Sequence, residues 1–142
     1  PKTSFIGRFD RLCSEGFFRE NPVDTFFVFG GTNDSWAGSP VGEVKTEDLN
    51  GENLKSTLSA FSYLLKGIKK NLPNASTVVI INNAEIKEEI TNGIIKLCGL
   101  YGVSHIKLNG ISRQSGHPDI TGMEQIFNSI YCFFNNAENG GV

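Results

Sequence analysis

Three observations predict an α/β fold, a three-layer α/β/α sandwich around a parallel sheet. The first is a pair of continuous apolar runs of strand length, "DTFFVFGG" at 24–31 and "STVVIINN" at 76–83. Neither alternates with polar residues, which is how strands buried on both faces read. The second is that segments with a helical apolar period separate these runs. The third is their order: strand and helix alternate three times, the pattern of parallel strands joined by helical crossovers. Three strands are few for such a sheet, so a first strand is expected upstream of Pro1.

Each element has its own signal. Ser4 can cap a helix that carries Phe5, Ile6, Phe9, Leu12 and Cys13 on one face, with Gly16 near its end. The aromatic-rich first strand is closed by Gly30 and Gly31, and a polar loop follows. Leu54, Leu58, Phe61, Leu65, Ile68 and Leu72 mark a long amphipathic helix that Pro73 stops. The second strand is β-branched and bounded by polar residues. Ile86, Ile90, Ile94, Leu97 and Cys98 form the next stripe, ending near Gly99 or Gly102. "VSHIKLNG" is the third strand, and a last helix starts near Asp119 with Ile120, Met123, Ile126, Phe127 and Ile130. The closing "NNAENGG" is polar and glycine-weakened. The reading is one domain over 1–135 and a flexible tail over 136–142.

Composition bounds the function. A chain of 142 residues can bury a real core as one domain. With 39% hydrophobic and 20% charged residues it reads as an ordinary soluble globular protein. A net charge of −2 gives no footprint for nucleic acid or an anionic membrane. No apolar run approaches the roughly 20 residues of a membrane span. Cys13, Cys98 and Cys132 are far apart and match no metal spacing, so no metal is expected. As free thiols they lean towards a reducing, cytoplasmic compartment.

Sites in open α/β sheets form outside the carboxyl ends of the strands. "VFGGTNDSW" at 28–36 occupies that place after the first strand. Its glycines could cradle phosphate, but the G-x-G-x-x-G spacing is absent and no helix is expected to follow at once. Asn33 and Asp34 can bond local backbone groups and shape a turn. Alternatively, the Asn33 amide N–H can donate to a developing oxyanion while Asp34 holds the loop. After the middle strand, Asn82 and Asn83 either line a site or simply turn the chain. The third strand leads into "SRQSGHPDITG" at 112–122. There His117 precedes Pro118, which restricts its backbone, and Asp119 can cap the last helix. His105, inside the third strand, reads as structural.

Taken together, these two stretches resemble blocks of the SGNH hydrolase superfamily, the GDSL-type esterases and lipases. Gly31-Thr32-Asn33-Asp34 matches that family's G-x-N-D in full. Its C-terminal block is D-x-x-H-P with a glycine further on. Gln114-Ser115-Gly116-His117-Pro118 matches it in the His-Pro, and Gly122 falls where the later glycine is expected. The resemblance implies a flavodoxin-like, SGNH-type sandwich that hydrolyses esters through an acyl-serine intermediate. It implies Asn33 as oxyanion donor, His117 as catalytic base, and Gly31 and Asp34 in support. Small acyl groups on carbohydrate or lipid are the implied substrates, with no metal or organic cofactor.

Two departures stand out. No G-D-S occurs, so the serine nucleophile is expected upstream of Pro1. Gly7 is a poor match for a second oxyanion glycine, and Ser4, Ser35 and Ser115 read as cap or loop residues. Gln114 stands where the family has the triad acid. Its carbonyl can orient an imidazole but supplies no negative charge, and Asp119 is the nearest carboxylate in sequence. The 142-residue chain alone is expected to be inactive and, with sheet edges bare, to associate with itself or with a missing segment. The alternative is a non-catalytic α/β binding module on the same fold, with a flavodoxin-like nucleotide binder behind it.

Overall fold

The first helix begins where its cap says it should. In the computed structural model, which describes residues 4–47, 49–50 and 54–139, α1 spans Phe5–Ser14. The Gly7 N–H donates to Ser4 Oγ at 3.1 Å. Gly16, at φ 75°, then opens a short α2 over Phe17–Glu20 that the sequence pattern did not reveal. Next come β1 (Thr25–Phe29), α3 (Thr32–Trp36), α4 (Thr57–Asn71), β2 (Ser76–Ile81), α5 (Glu88–Tyr101) and β3 (Ser104–Lys107). A small pair, β4 (Arg113–Gln114) and β5 (His117–Pro118), precedes α6 (Ile120–Asn139). Leu54 lies ahead of α4, because Ser56 and Ser59 form a capping box that fixes the helix start. That helix ends at Asn71, just ahead of Pro73. Residues 136–139, placed in the tail by composition, are helical, and 140–142 lie outside the described residues.

The sheet has the order β1-β2-β3, all parallel. On one face Leu65 and Ile68 of α4, Ile90, Ile94 and Leu97 of α5, and Phe9 of α1 pack on Val28, Val79 and Ile81. On the other face Ile126 of α6 packs with Val78, Ile80, Ile106, Leu108 and Ile111. The three layers expected from the sequence are therefore present.

β1 departs from expectation. Only Val28 is buried, while Phe27 and Phe29 are 43% and 39% exposed. The reason is geometric: α6 covers β2 and β3, and its Phe134 reaches β1 only through an edge contact with Phe27 at 6.2 Å. Among the described residues no strand pairs with the outer edge of β1. On α6 itself Met123, Phe127 and Tyr131 are also exposed, and the last two rings stack at 5.8 Å.

The three cysteines are free. Burial among α5 neighbours pushes the Cys98 thiol up to about 11, whereas Cys132 is exposed. No described helix is long and apolar enough to cross a membrane.

Two glycines of α5 test the α4–α5 packing in opposite directions. A Cβ at Gly93 would come within 2.4 Å of Leu58 Cδ1, in the core, whereas one at Gly99 meets nothing within 4 Å. We expect Gly93→Ala to destabilise the fold by about 1–3 kcal/mol through overpacking. Gly99→Ala should stabilise it by up to about 1 kcal/mol through helix propensity. Urea unfolding midpoints of the two variants provide the check.

Candidate functional site

Parallel pairing brings the carboxyl ends of all three strands to one edge of the sheet, with Phe29 opposite Ile80 and Ile81 opposite Lys107. At the end of β1 the chain pivots on Gly31, whose φ of 94° strains any other residue. That pivot lets a helical turn start immediately, correcting the expectation of a loop. The Ser35 N–H donates to the Gly31 carbonyl at 3.0 Å and the Ala37 N–H to that of Asn33 at 2.9 Å. Asn33 and Asp34 thus sit in the first turn of α3, both exposed. Their side chains make no hydrogen bond among the described residues. The turn-shaping role considered for them belongs instead to backbone carbonyls and Gly31.

Asn33 borders a cleft of about 480 Å³ between α1, β1, α3 and α4. Its walls are largely apolar, from Phe5, Val28, Phe61 and Leu64, with Asn33 and Asp34 at the mouth end of β1. Gly7, the weak candidate for a second oxyanion donor, has its N–H engaged by Ser4 Oγ. The three serines weighed as hydroxyls are likewise in structural service. Ser4 caps α1, Ser35 Oγ accepts from the Lys87 N–H at 3.0 Å, and Ser115 makes a turn.

His117 emerges from a two-residue hairpin that periodicity could not detect. Gln114 lies opposite His117 across β4 and β5, and Ser115 and Gly116 between them have φ of 53° and 81°. Positive φ at both central residues is what a tight hairpin turn needs. Facing positions in such a pair share one face, so Gln114 and His117 are side-chain neighbours. Both are exposed, and no hydrogen bond joins them among the described residues. Asp119 is committed elsewhere: its carboxylate accepts from Ser112 Oγ at 2.7 Å and from the Gly122 N–H at 2.8 Å, capping α6. These bonds, the Ser112 hydroxyl first, hold its carboxyl below the usual aspartate range.

The Asn33 and His117 segments approach each other at a residue between them. The ring of Trp36, at the end of α3, comes near Gly116: a Cβ added there would sit 3.5 Å from Trp36 Cη2. After β2, Asn82 is buried and its carbonyl accepts from the N–H groups of Glu85 and Ile86, so "NNAE" turns the chain. That loop also holds Glu85, ion-paired to Arg113 of β4. Sequence reasoning singled out neither residue, since a contact between distant loops leaves no local pattern. His105 sits in β3 opposite Val79, away from these loops. Among the described residues no cluster of His, Cys, Asp or Glu is arranged to hold a metal ion.

A family model described as GDSL-like Lipase/Acylhydrolase matches residues 1–134. The chain belongs to this family. Two solved structures named for their likeness to GDSL lipases support the GDSL assignment. The Bacteroides uniformis ATCC 8492 protein is 36% identical, with a TM-score of 0.82 over 94% of this chain and 59% of its own. The Bacteroides ovatus ATCC 8483 protein is 38% identical, with a TM-score of 0.81 over 94% of this chain and 60% of its own. The GDSL-like chain therefore spans about 60% of the length of these relatives. A structure from Chitinophaga pinensis DSM 2588, named as a possible lipase, shares the fold at 18% identity and a TM-score of 0.51. It covers 70% of this chain and 48% of its own. A comparison with curated proteins finds no match.

The Asp119 cap of this GDSL-like domain carries a pH signature. Its carboxyl is depressed in the folded state, so its stabilisation is complete above the ordinary aspartate value of about 3.9. It is lost as pH falls through the lower folded value. Asp119→Ala should lower the thermal midpoint at neutral pH, and the gap to wild type should close in strong acid. Asp119→Asn, which keeps a capping oxygen, should stay nearer wild type at neutral pH. Thermal melts between neutral and strongly acidic pH decide it.

Proposed function

We propose that this chain supplies the oxyanion donor and the general base of an ester hydrolase that works through an acyl-serine intermediate. The observation that carries this is the nearness of Trp36 to Gly116, which brings the Asn33 turn close to the His117 hairpin. In this reading the Asn33 side-chain N–H donates to the carbonyl oxygen as it becomes charged, an interaction strongest in the transition state. Gly31 supports that turn as its pivot, and Asp34 through its backbone carbonyl, which accepts from the Ser39 N–H at 2.9 Å. His117 takes the proton of the attacking hydroxyl and returns it to the departing alcohol. In the same reading Gln114, the cross-strand neighbour of His117, accepts from imidazole Nδ1–H and fixes the tautomer, without adding charge.

The hydroxyl nucleophile is assigned to no residue of 1–142. It comes instead from a further strand laid along the open edge of β1, contributed by sequence beyond these residues or by another chain. Three features support such a strand. The outer edge of β1 is unpaired among the described residues, and Phe27 and Phe29 stand uncovered. In addition, α1 packs on the face covered by α4 and α5. If α1 is a right-handed crossover into β1 on that face, the strand before it lies beyond β1, away from β2. Such a strand would deliver a residue beside Asn33. The apolar cleft next to Asn33 fits the acyl part of an ester, and acylated carbohydrate or lipid remains the substrate class proposed.

Hydrolysis of a short-chain aryl ester by the intact protein tests this. Asn33→Ala should cost about 10²–10³-fold in kcat, and His117→Ala about 10²–10⁴-fold. Residues 1–142 alone should show no turnover. Full activity in both variants would remove the mechanism. A non-catalytic binding module is the second reading, favoured by Gln114 in place of an acid. It predicts no labelling of the intact protein by a serine-directed phosphonate.

A further inference from the structure

The loops that follow β1, β2 and β3 are brought together pairwise in a triangle. Ser35 of α3 accepts from the Lys87 N–H, linking the first loop to the second. Glu85 of the second loop is ion-paired to Arg113 of β4, linking the second to the third. Trp36 comes near Gly116, bringing the third loop back beside the first. Two corners carry Asn33 and His117, while the corner between β2 and α5 carries neither.

The hairpin needs such support. β4 and β5 have two residues each and pair only with each other among the described residues. An isolated hairpin of that size has little stability of its own. Its foot is held where the Asp119 N–H and carboxylate meet the Ser112 carbonyl and hydroxyl. Trp36 stands beside the tip at Gly116, and the Glu85–Arg113 pair ties β4 to the β2–α5 loop next to the foot. The Glu85 side chain is 10% exposed and that of Arg113 38%, so the carboxylate end of the pair is shielded from solvent. Guanidinium–carboxylate bonds are also directional, which restricts where β4 can sit.

We propose that the β2–α5 loop is a strut that sets the His117 hairpin relative to Asn33, with Glu85 and Arg113 as positioning residues. The proposal rests on reading His117 as the base. It differs from a purely stabilising role, which would lower unfolding stability and leave the hairpin in place. A misplacement of about 1 Å can cost up to about 10²-fold in rate.

The test uses the intact protein and the variants Glu85→Gln, Arg113→Met and Arg113→Lys. The amide resonances of Gly116 and His117 should shift or broaden in Glu85→Gln and Arg113→Met, and stay near wild type in Arg113→Lys. Ester hydrolysis in the first two should lose about 10- to 100-fold in kcat, with KM within about twofold. Arg113→Met serves if Glu85→Gln fails to fold. Unmoved hairpin resonances overturn the strut whatever the activity does. Moved resonances with wild-type kcat also overturn it, provided His117→Ala is inactive. Full hydrolysis by His117→Ala instead overturns the functional reading, and the strut is then judged on the resonances alone.

Discussion

β2 hydrogen-bonds β1 along one side and β3 along the other, and its residues alternate into two separate cores. Val79 and Ile81 face α4 and α5, whereas Val78 and Ile80 face α6. All four are almost wholly buried, so a slip of one residue would exchange the two sets and misfit both layers. That register is what aligns the three carboxyl ends. Loops far apart in the chain then share one edge of the sheet.

The two faces of the sheet are unequally finished. Towards α4 and α5 the core is continuous from Phe9 through Leu97, with several side chains wholly excluded from solvent. Towards α6 it thins as it approaches β1, where Phe27 and Phe29 are both exposed. The polar edge shows the complementary pattern. Backbone and side-chain bonds are spent on holding loops, with Ser4, Ser35 and Asp119 all committed, while the side chains of Asn33 and His117 make no hydrogen bond among the described residues. Groups whose bonds are unspent can engage something else.

Much of this was legible in the sequence because its causes are local. Ser4 and Asp119 announce helix starts through their own side chains, and Pro73 limits a helix through its own ring. The long apolar stripes of α4 and α5 and the β-branched run of β2 express their burial directly. What stayed hidden has nonlocal or very short causes. α3 is a single turn, started by one left-handed glycine, and β4 and β5 are shorter than any detectable period. Glu85 and Arg113 meet only because β2 and β3 are neighbours. The aromatic run of β1 reads as fully buried, since Phe27 and Phe29 are the same residues whether or not a layer covers them. At the site, the Gly-Thr-Asn-Asp and His-Pro stretches were visible as patterns, and their approach at Trp36 was not.

Trp36 is the sole tryptophan among the 142 residues, and its half-exposed ring sits where the Asn33 turn comes near the His117 hairpin. An indole in that position senses polarity and quenching from both sides at once. This domain therefore carries an intrinsic fluorophore at its most informative seam. A change of conformation or of solvent exposure around that ring alters the light it emits, with no label attached.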